Sequence, residues 1–303
     1  PTLNVVGTEH DYPKAEKRTV DRDATVTPPR DFLKPVIETV RWLFSFDWLI
    51  GHAAAANRFA VFDDAECTAT TIVADADCWS TTTDGNGDGA PVAGDNLIFD
   101  SGSGAVSGTM DASLSITTGT ITFCSAAAAP IAACGGAWAN TLAIATFTLT
   151  NTGTIAFDGG TITSTTGGID GGVMTMSAAA PTATVTVTGA GTWRLNGLTI
   201  QAGGTFTADA ATITMDGNWD SSAGTFTRGT STVVFASNGT ITLADAGHPS
   251  ANIANLTVNL GITMTLGALL RLDENSTLTN NGIITGAARL AINVDGSPAS
   301  PIA

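Results

Sequence analysis

The sequence predicts an all-β fold whose main body is a parallel β-solenoid, with a β-sandwich as the alternative architecture. Apolar and polar residues alternate from about Leu97, with Gly, Asn and Asp between the alternating runs, and no helical pattern intervenes before about residue 294. The 43% share of hydrophobic residues is enough to fill a large core. The strands predicted in this way are 113–116, 119–123, 145–149, 182–188, 212–215 and 230–235.

An internal repeat favours the solenoid. The segment from Gly204 to Met215 aligns without gaps to the segment from Gly224 to Phe235, which is a step of twenty residues. A step of this length suits one coil of a solenoid, in which each coil buries its inward side chains by stacking on the next. Shorter echoes of the same pattern begin at Gly119, Gly153, Gly191 and Gly239.

The chain divides into three predicted regions. Residues 1–60 form an N-terminal arm and amphipathic helix for assembly and anchoring, residues 61–96 carry cysteines and an Asp/Gly loop, and residues 97–303 form the Thr/Gly-rich body. Residues 1–30 are polar and proline-bearing, which predicts an extended arm without its own core. Asp31 can cap the helix that follows, because Pro35 is tolerated in a first turn.

Aromatic and apolar residues gather around this helix, where they can cap the open end of the β-body or dock on a neighbouring subunit. The apolar segment 40–56 somewhat resembles a signal peptide, but Arg41 and Asp47 interrupt it. It is also too short and too charged for a membrane span, so we interpret it as retained structure. The residues predicted to make assembly contacts are Phe32, Val36, Trp42, Phe44 and Trp48.

The charge distribution excludes nucleic-acid binding. Residues 1–58 carry eight basic and eight acidic side chains, whereas residues 59–303 carry four arginines, no lysine and nineteen acids. An acidic body repels a phosphate backbone, and the sequence has no basic stripe with interleaved aromatic residues that would neutralise one.

The four cysteines form two pairs that are local in sequence, Cys67 with Cys78 and Cys124 with Cys134. Neither pair has the spacing or the histidine partners of a zinc site, which favours two short-loop disulfides. Four buried free thiols are the alternative. Disulfides would place the mature protein in an oxidising setting outside the cell.

The segment from Asp84 to Asp95 has the spacing of a calcium-binding loop. Asp84, Asn86 and Asp88 occupy the first, third and fifth positions, Gly89 occupies the sixth, and Asp95 the twelfth. Carboxylate and amide oxygens at this spacing predict a structural Ca²⁺ held by Asp84, Asn86, Asp88 and Asp95. A solvated Asp/Gly turn is the alternative, because position twelve is Asp and no helices flank the loop.

The sequence predicts no enzyme. Its three histidines are scattered, so a Ser/His/Asp or metal-hydrolase site would need partners from unrelated segments. Paired carboxylates of a glycan hydrolase could come from Asp209, Asp216 and Asp220, but turn-forming aspartate explains them better. Four tryptophans are predicted to pack at coil corners and not to form sugar-binding platforms: Trp79, Trp138, Trp193 and Trp219.

Several short motifs resemble the degenerate repeats of phage appendage proteins and of large bacterial surface proteins. They are Gly217-Asn-Trp219, Gly224-Thr-Phe226, Gly229-Thr-Ser-Thr-Val-Val-Phe235 and Asn255-Leu-Thr-Val258, and the resemblance covers about residues 90–294. It implies an extracellular β-helical stalk with an adhesive or structural role. It supplies no catalytic residues that could be carried over to this chain.

Two function classes follow from these observations. The first is a virion structural protein, such as a capsid-decorating or fibre-like subunit, attached by residues 1–60 and located on the virion surface. The second is a subunit of a cellular extracellular filament or adhesin, for which a surface glycan is a candidate partner. Both classes predict a homo-oligomer or contacts with other structural subunits. A polysaccharide-degrading appendage enzyme is a minor third alternative.

Overall fold

The computed structural model describes residues 56–61, 67, 76–82, 89–100, 108–110, 112–116, 119–124, 137–177, 183–244, 252–286 and 289–292. All of them belong to one compact unit, Ala53–Ala303. The predicted arm, the predicted helix and its assembly residues Phe32, Val36, Trp42, Phe44 and Trp48 lie outside these ranges. Among the described residues, no helix is long and apolar enough to cross a membrane.

The described residues form strands and one short 3₁₀ turn, Ala76–Cys78. In chain order the strands are β1 (Asn57–Ala60), β2 (Trp79–Ser80), β3 (Asn96–Phe99), β4 (Gly108–Thr109), β5 (Leu114–Ile116), β6 (Ile121–Phe123), β7 (Thr141–Ala145), β8 (Thr148–Asn151), β9 (Thr154–Phe157), β10 (Thr161–Ser164), β11 (Gly168–Asp170), β12 (Val173–Met176), β13 (Thr184–Val187), β14 (Thr192–Leu195), β15 (Gly197–Ile200), β16 (Thr205–Thr207), β17 (Thr212–Met215), β18 (Trp219–Ser221), β19 (Thr225–Thr227), β20 (Thr232–Phe235), β21 (Gly239–Leu243), β22 (Asn255–Val258), β23 (Thr263–Leu266), β24 (Leu270–Leu272), β25 (Thr277–Asn280), β26 (Ile283–Thr285) and β27 (Leu290–Ile292).

Three long sheets run along the stack of coils. The first sheet has the order β2-β1-β3-β6-β9-β12-β15-β18-β21-β23-β26, the second β19-β16-β13-β10-β7-β4, and the third β25-β22-β20-β17-β14-β11-β8-β5. Strands β24 and β27 form a separate pair. Neighbouring strands are parallel, except that β1 pairs antiparallel with β2.

The chain visits the three sheets in turn, for example through β9, β10, β11 and then β12, and each such circuit is one coil. About seven turns stack in this way. The parallel β-solenoid predicted from the sequence is therefore confirmed. The alternative β-sandwich is wrong, because sandwiches pair antiparallel strands within two packed sheets.

The twenty-residue repeat corresponds to neighbouring coils in register. Phe206 pairs with Phe226 in the second sheet, and Met215 pairs with Phe235 in the third. The shorter echoes do not all belong to one sheet. The segments that follow Gly119, Gly153 and Gly239 form strands of the first sheet, whereas the segment that follows Gly191 forms β14 of the third. The short repeated motif therefore marks the start of a strand but does not show to which sheet that strand belongs.

Two details of the sequence prediction need correction. The predicted strand 145–149 is a corner, because Ala145 has a positive φ of 55° and the chain turns between β7 and β8. The coils begin at β3, close to Leu97 as predicted, but the first sheet extends further back. Its strand β1 lies within the segment assigned to the N-terminal region and pairs in parallel with β3.

Inward side chains of the three sheets form one continuous apolar core. Trp79, Phe99, Phe123 and Phe157 follow one another along the first sheet, with ring centroids 5.9, 4.4 and 4.8 Å apart. The four body tryptophans are at most 1% exposed, so the prediction that they pack in the core is confirmed. Their predicted position at corners is wrong for Trp79, Trp193 and Trp219, which lie on β2, β14 and β18 (the fourth, Trp138, precedes β7).

Glycine and asparagine residues form the corners that precede strands of the first sheet. A Cβ on Gly217 would lie 2.0 Å from the carbonyl oxygen of Asn196 in the preceding coil, so only glycine fits there. Asparagine side chains join successive coils: Asn218 Oδ1 accepts a hydrogen bond from Thr240 N at 2.9 Å, and Asn238 Oδ1 accepts one from Thr263 N at 2.8 Å. These bonds pair backbone donors at the corner, where the parallel ladder is interrupted.

We expect Gly217→Ala to destabilise the protein by about 1–3 kcal/mol, because backbone atoms must move to accept the new methyl group. Gly197→Ala is the matched control. Its Cβ would meet a Val173 methyl at 3.3 Å, and a side chain can yield by that small amount. Chemical denaturation of both variants checks the expectation. Equal stability losses would show that the close approach to Asn196 does not matter.

Candidate functional site

The disulfide Cys67–Cys78 is present, with a Cα–Cα distance of 4.7 Å, which confirms the first predicted bridge. Both cysteines are buried, and the bridge closes a loop with a sequence separation of 11. Val61 N donates to the carbonyl oxygen of Cys78 at 3.0 Å, next to the antiparallel pair of β1 and β2. The bridge therefore fastens the beginning of the first sheet.

The second predicted bridge, between Cys124 and Cys134, stays a prediction. Cys124 lies just after β6 and is 1% exposed. Its backbone N donates to the carbonyl oxygen of Phe99 at 2.8 Å, which holds it against the preceding coil. Cys134 lies outside the described residues.

Only one of the four predicted calcium ligands is described. Asp95 is 5% exposed, and its Oδ2 accepts hydrogen bonds from Arg58 Nε at 3.2 Å and from Val92 N at 3.0 Å. Asp84, Asn86 and Asp88 lie outside the described residues. Asp95 thus has a clear structural role, in which it joins the corner before β3 to Arg58 on β1, while the calcium site stays a prediction.

Among the residues that the structure describes, no group of three or more His, Cys, Asp or Glu side chains is placed to hold a metal ion. The three aspartates considered for glycan hydrolysis have local roles. Asp209 has a positive φ of 45° in the turn between β16 and β17, and Asp216 pairs with Arg194 at 2.5 Å. Asp220 Oδ1 accepts hydrogen bonds from the backbone and hydroxyl of Ser222.

Asp158 is a partly buried carboxyl at the corner after β9. Burial raises its pKa, and a hydrogen bond with the Ser177 side chain partly offsets that effect. A raised carboxyl pKa is typical of a general acid, but a glycosidase needs a second carboxylate facing the same sugar bond. The contacts described for Asp158 are to Ser177 and to the carbonyl oxygen of Phe123, so they indicate a structural corner.

An ion pair connects distant coils near the end of the second sheet. Arg228, just after β19, donates from Nη2 to Asp273 Oδ2 at 2.6 Å across 45 positions of the chain. The Asp273 side chain is 12% exposed, and Ser276 Oγ donates to its Oδ1 at 2.8 Å. Burial raises the pKa of Asp273, but hydrogen bonds from Ser276 and the charge of Arg228 outweigh it and leave the pKa below its usual value.

The Asp273 contacts should stabilise the fold above the unfolded pKa of about 3.9, and this stabilisation should disappear as pH falls through the lower folded pKa. We therefore expect the melting temperature of Asp273→Asn to lie below that of the unsubstituted protein at pH 6, with the gap closing in acid. Asp216→Asn is the control, because its partner Arg194 is 56% exposed and such pairs contribute about 0–1 kcal/mol. A gap of constant size at all pH values would contradict the assignment.

The second sheet presents a uniform outer surface, which we call the threonine face. On β10, β13, β16 and β19 every outward position is threonine, while Ile162, Val185, Phe206 and Phe226 point inward. The strands pair without a register shift from β10 to β19. The threonine face therefore has two straight columns: Thr161, Thr184, Thr205 and Thr225 form one, and Thr163, Thr186, Thr207 and Thr227 form the other.

The other two sheets lack this uniformity. Outward positions of the third sheet include Asp170, Arg194 and Val234, and those of the first include Val173 and Asp220. All three sheets share the same parallel geometry, so strand propensity would favour threonine equally on each. The second sheet therefore differs from the other two in the uniformity of its outer surface from β10 to β19.

The sequence contains the signal for this face, and our sequence prediction did not include it. Thr-x-Thr occurs at 161–163, 184–186, 205–207 and 225–227, close to the spacing of one coil. The same motif also occurs at 148–150, 212–214 and 277–279 on the third sheet, and at 240–242 and 263–265 on the first. Only the topology separates these occurrences from those of the threonine face. No protein-family model, curated protein or solved structure matches this chain.

Proposed function

We propose that this protein is a non-enzymatic structural subunit of an extracellular assembly. The first candidate is a capsid-decorating or fibre-like subunit of a virion. The observation that carries the proposal is the stack of about seven coils, which bury their apolar side chains against one another along a continuous core. Such a stack suits a spacer or a projecting stalk. The aspartates considered for glycan hydrolysis instead hold a corner and an ion pair.

The charge distribution indicates which end of the chain assembles. The chain after residue 58 has four basic and nineteen acidic side chains, so neighbouring bodies repel one another at low salt. Residues 1–58 are balanced and carry the aromatic residues Trp42 and Trp48. We therefore assign the assembly contacts to residues 1–60, and the projecting role to the solenoid.

Light scattering coupled to size-exclusion chromatography tests this assignment on the full chain and on a chain without residues 1–30. We expect the full chain to form an oligomer and the shortened chain to be a folded monomer. Trp42→Ser with Trp48→Ser should also weaken assembly. The control is Leu260→Ser, which removes an apolar side chain that is 85% exposed on the body. A monomeric full chain, or a shortened chain that still forms the oligomer, would contradict the proposal.

A cellular filament or adhesin subunit is the second candidate, and the Cys67–Cys78 bridge favours it, because disulfides form readily in exported proteins. Its partners would be further copies of the chain and, for an adhesin, a surface glycan. The genes beside this one discriminate between the candidates. Capsid and portal genes would support the virion subunit, whereas export genes would support the cellular filament.

A further inference from the structure

The threonine face repeats in two dimensions. Strands of a parallel sheet lie about 4.8 Å apart, and residues two positions apart on one strand lie about 6.6 Å apart. Because the register is unbroken from β10 to β19, the outward threonines form a rectangular net with these two spacings. On its N-terminal side β7 continues the net with Thr141, and Ala143 stands in the second column.

The hydroxyls of this net are available to a ligand. Within the described part of the chain, none of the eight threonine hydroxyls on β10, β13, β16 and β19 has a hydrogen-bond partner. Threonines at the ends of the same strands behave differently: Thr165 Oγ1 donates to the carbonyl oxygen of Ala145 at 2.9 Å, and Thr188 Oγ1 donates to that of Ser164 at 3.3 Å. The outward threonines of these four strands therefore keep both a free hydroxyl and a methyl group at each point of the net.

The chemistry of the net restricts its partner. No outward position on the four strands carries a charge, so ions and nucleic acids have no counter-charge there. The rings of Phe206 and Phe226 belong to the core side, so a sugar ring would find no aromatic platform on these strands. A suitable partner is therefore flat, uncharged and periodic, and it must accept both hydroxyl hydrogen bonds and methyl contacts.

We propose that the threonine face binds the surface of ice. Ice is an uncharged solid whose surface oxygens repeat in two dimensions at distances comparable to those of the net. Each threonine hydroxyl can join the hydrogen-bonded lattice, while the methyl group beside it occupies the space between lattice waters. The net is rigid because every strand from β10 to β16 is hydrogen-bonded on both sides. This proposal does not depend on the assembly role of residues 1–60.

Partition of the full chain into slowly growing polycrystalline ice tests the proposal, together with inhibition of ice recrystallisation. We expect the unsubstituted protein to enter the ice fraction and to keep ice grains small. Thr186→Lys with Thr207→Lys replaces two neighbouring positions of one column. Partition should fall by about tenfold or more, because buried ammonium groups would lose water without a partner.

The matched control is Thr192→Lys with Thr212→Lys, which replaces two paired outward threonines of the third sheet. This variant should keep its ice affinity. If the first pair of lysines prevents folding, Thr186→Tyr takes its place, since tyrosine suits a strand and its ring would hold the face away from the crystal. The proposal is wrong if the unsubstituted protein stays in the liquid, if both lysine pairs reduce partition equally, or if the protein binds crystalline cellulose or chitin and not ice.

Discussion

Trp193→Ala is expected to destabilise the protein by about 3–5 kcal/mol, the range for removal of a fully buried tryptophan side chain. Trp193 is completely buried on β14, and its ring meets that of Phe206 edge to face at 5.2 Å. A coil contacts its neighbours on both sides, so the cavity would lie between coils that cannot close around it. Urea denaturation monitored by circular dichroism measures the loss.

Phenylalanine variants separate packing from hydrogen bonding. The indole Nε1 of Trp193 is buried without a partner in the described part of the chain, so Trp193→Phe should cost far less than alanine. Trp219 is the matched case, because its Nε1 donates to Ser221 Oγ at 3.2 Å. Trp219→Phe leaves that buried hydroxyl unpaired and should cost about 1–3 kcal/mol more than Trp193→Phe. Equal losses for the two variants would contradict this account of the core.

Removal of the Cys67–Cys78 bridge is expected to cost about 3 kcal/mol, because the bridge limits the freedom of a short loop in the unfolded chain. The variant Cys67→Ala with Cys78→Ala is preferable to a reducing agent, which would also act on other cysteines. Its melting temperature should fall. Trp79 on β2 follows Cys78 directly, so the loss should be accompanied by greater exposure of that tryptophan.

Two measurements test whether this bridge stabilises the folded protein. Hydrogen exchange should rise first in β1 and β2, which lie beside the bridge, and stay low from β12 to β18. Expression in a reducing compartment should give less folded protein than expression in an oxidising one. A double alanine variant as stable as the unsubstituted protein would show that β1 and β2 are held without the bridge.

The sequence was sufficient to predict the solenoid because two neighbouring coils of its body are equal in length. From Gly204 to Phe235 two coils have the same number of residues, so paired positions align without gaps. Elsewhere the corners vary. Asp170 pairs with Arg194 over twenty-four positions, whereas Trp193 pairs with Ile213 over twenty. A repeat of fixed length does not align paired positions across such corners. The sequence alone therefore does not assign each strand to a sheet.

For the same reason, the sequence alone could not assign the Thr-x-Thr motifs of the threonine face to one sheet. Thr212 and Thr214 follow the same Thr-x-Thr pattern as Thr205 and Thr207, only seven positions away. Their strands belong to different sheets, because Asp209 turns the chain between β16 and β17 with a positive φ. Sequence reasoning assigned aspartate to the turns, but it could not tell which turn directs a strand to which side of the coil.

The stacking of coils in register is the central claim, and engineered disulfides test it most directly. Thr207 and Thr227 pair across β16 and β19. Cysteines at both positions would therefore have Cα atoms about 4.8 Å apart, within the range that a bridge requires. Thr186 and Thr227 are two coils apart, about 9.6 Å, which is too far for a bridge.

After mild oxidation, peptide mapping by mass spectrometry should find the bridge in Thr207→Cys with Thr227→Cys and not in Thr186→Cys with Thr227→Cys. A bridge in the second variant, or its absence in the first, would contradict the stacking of coils in this register.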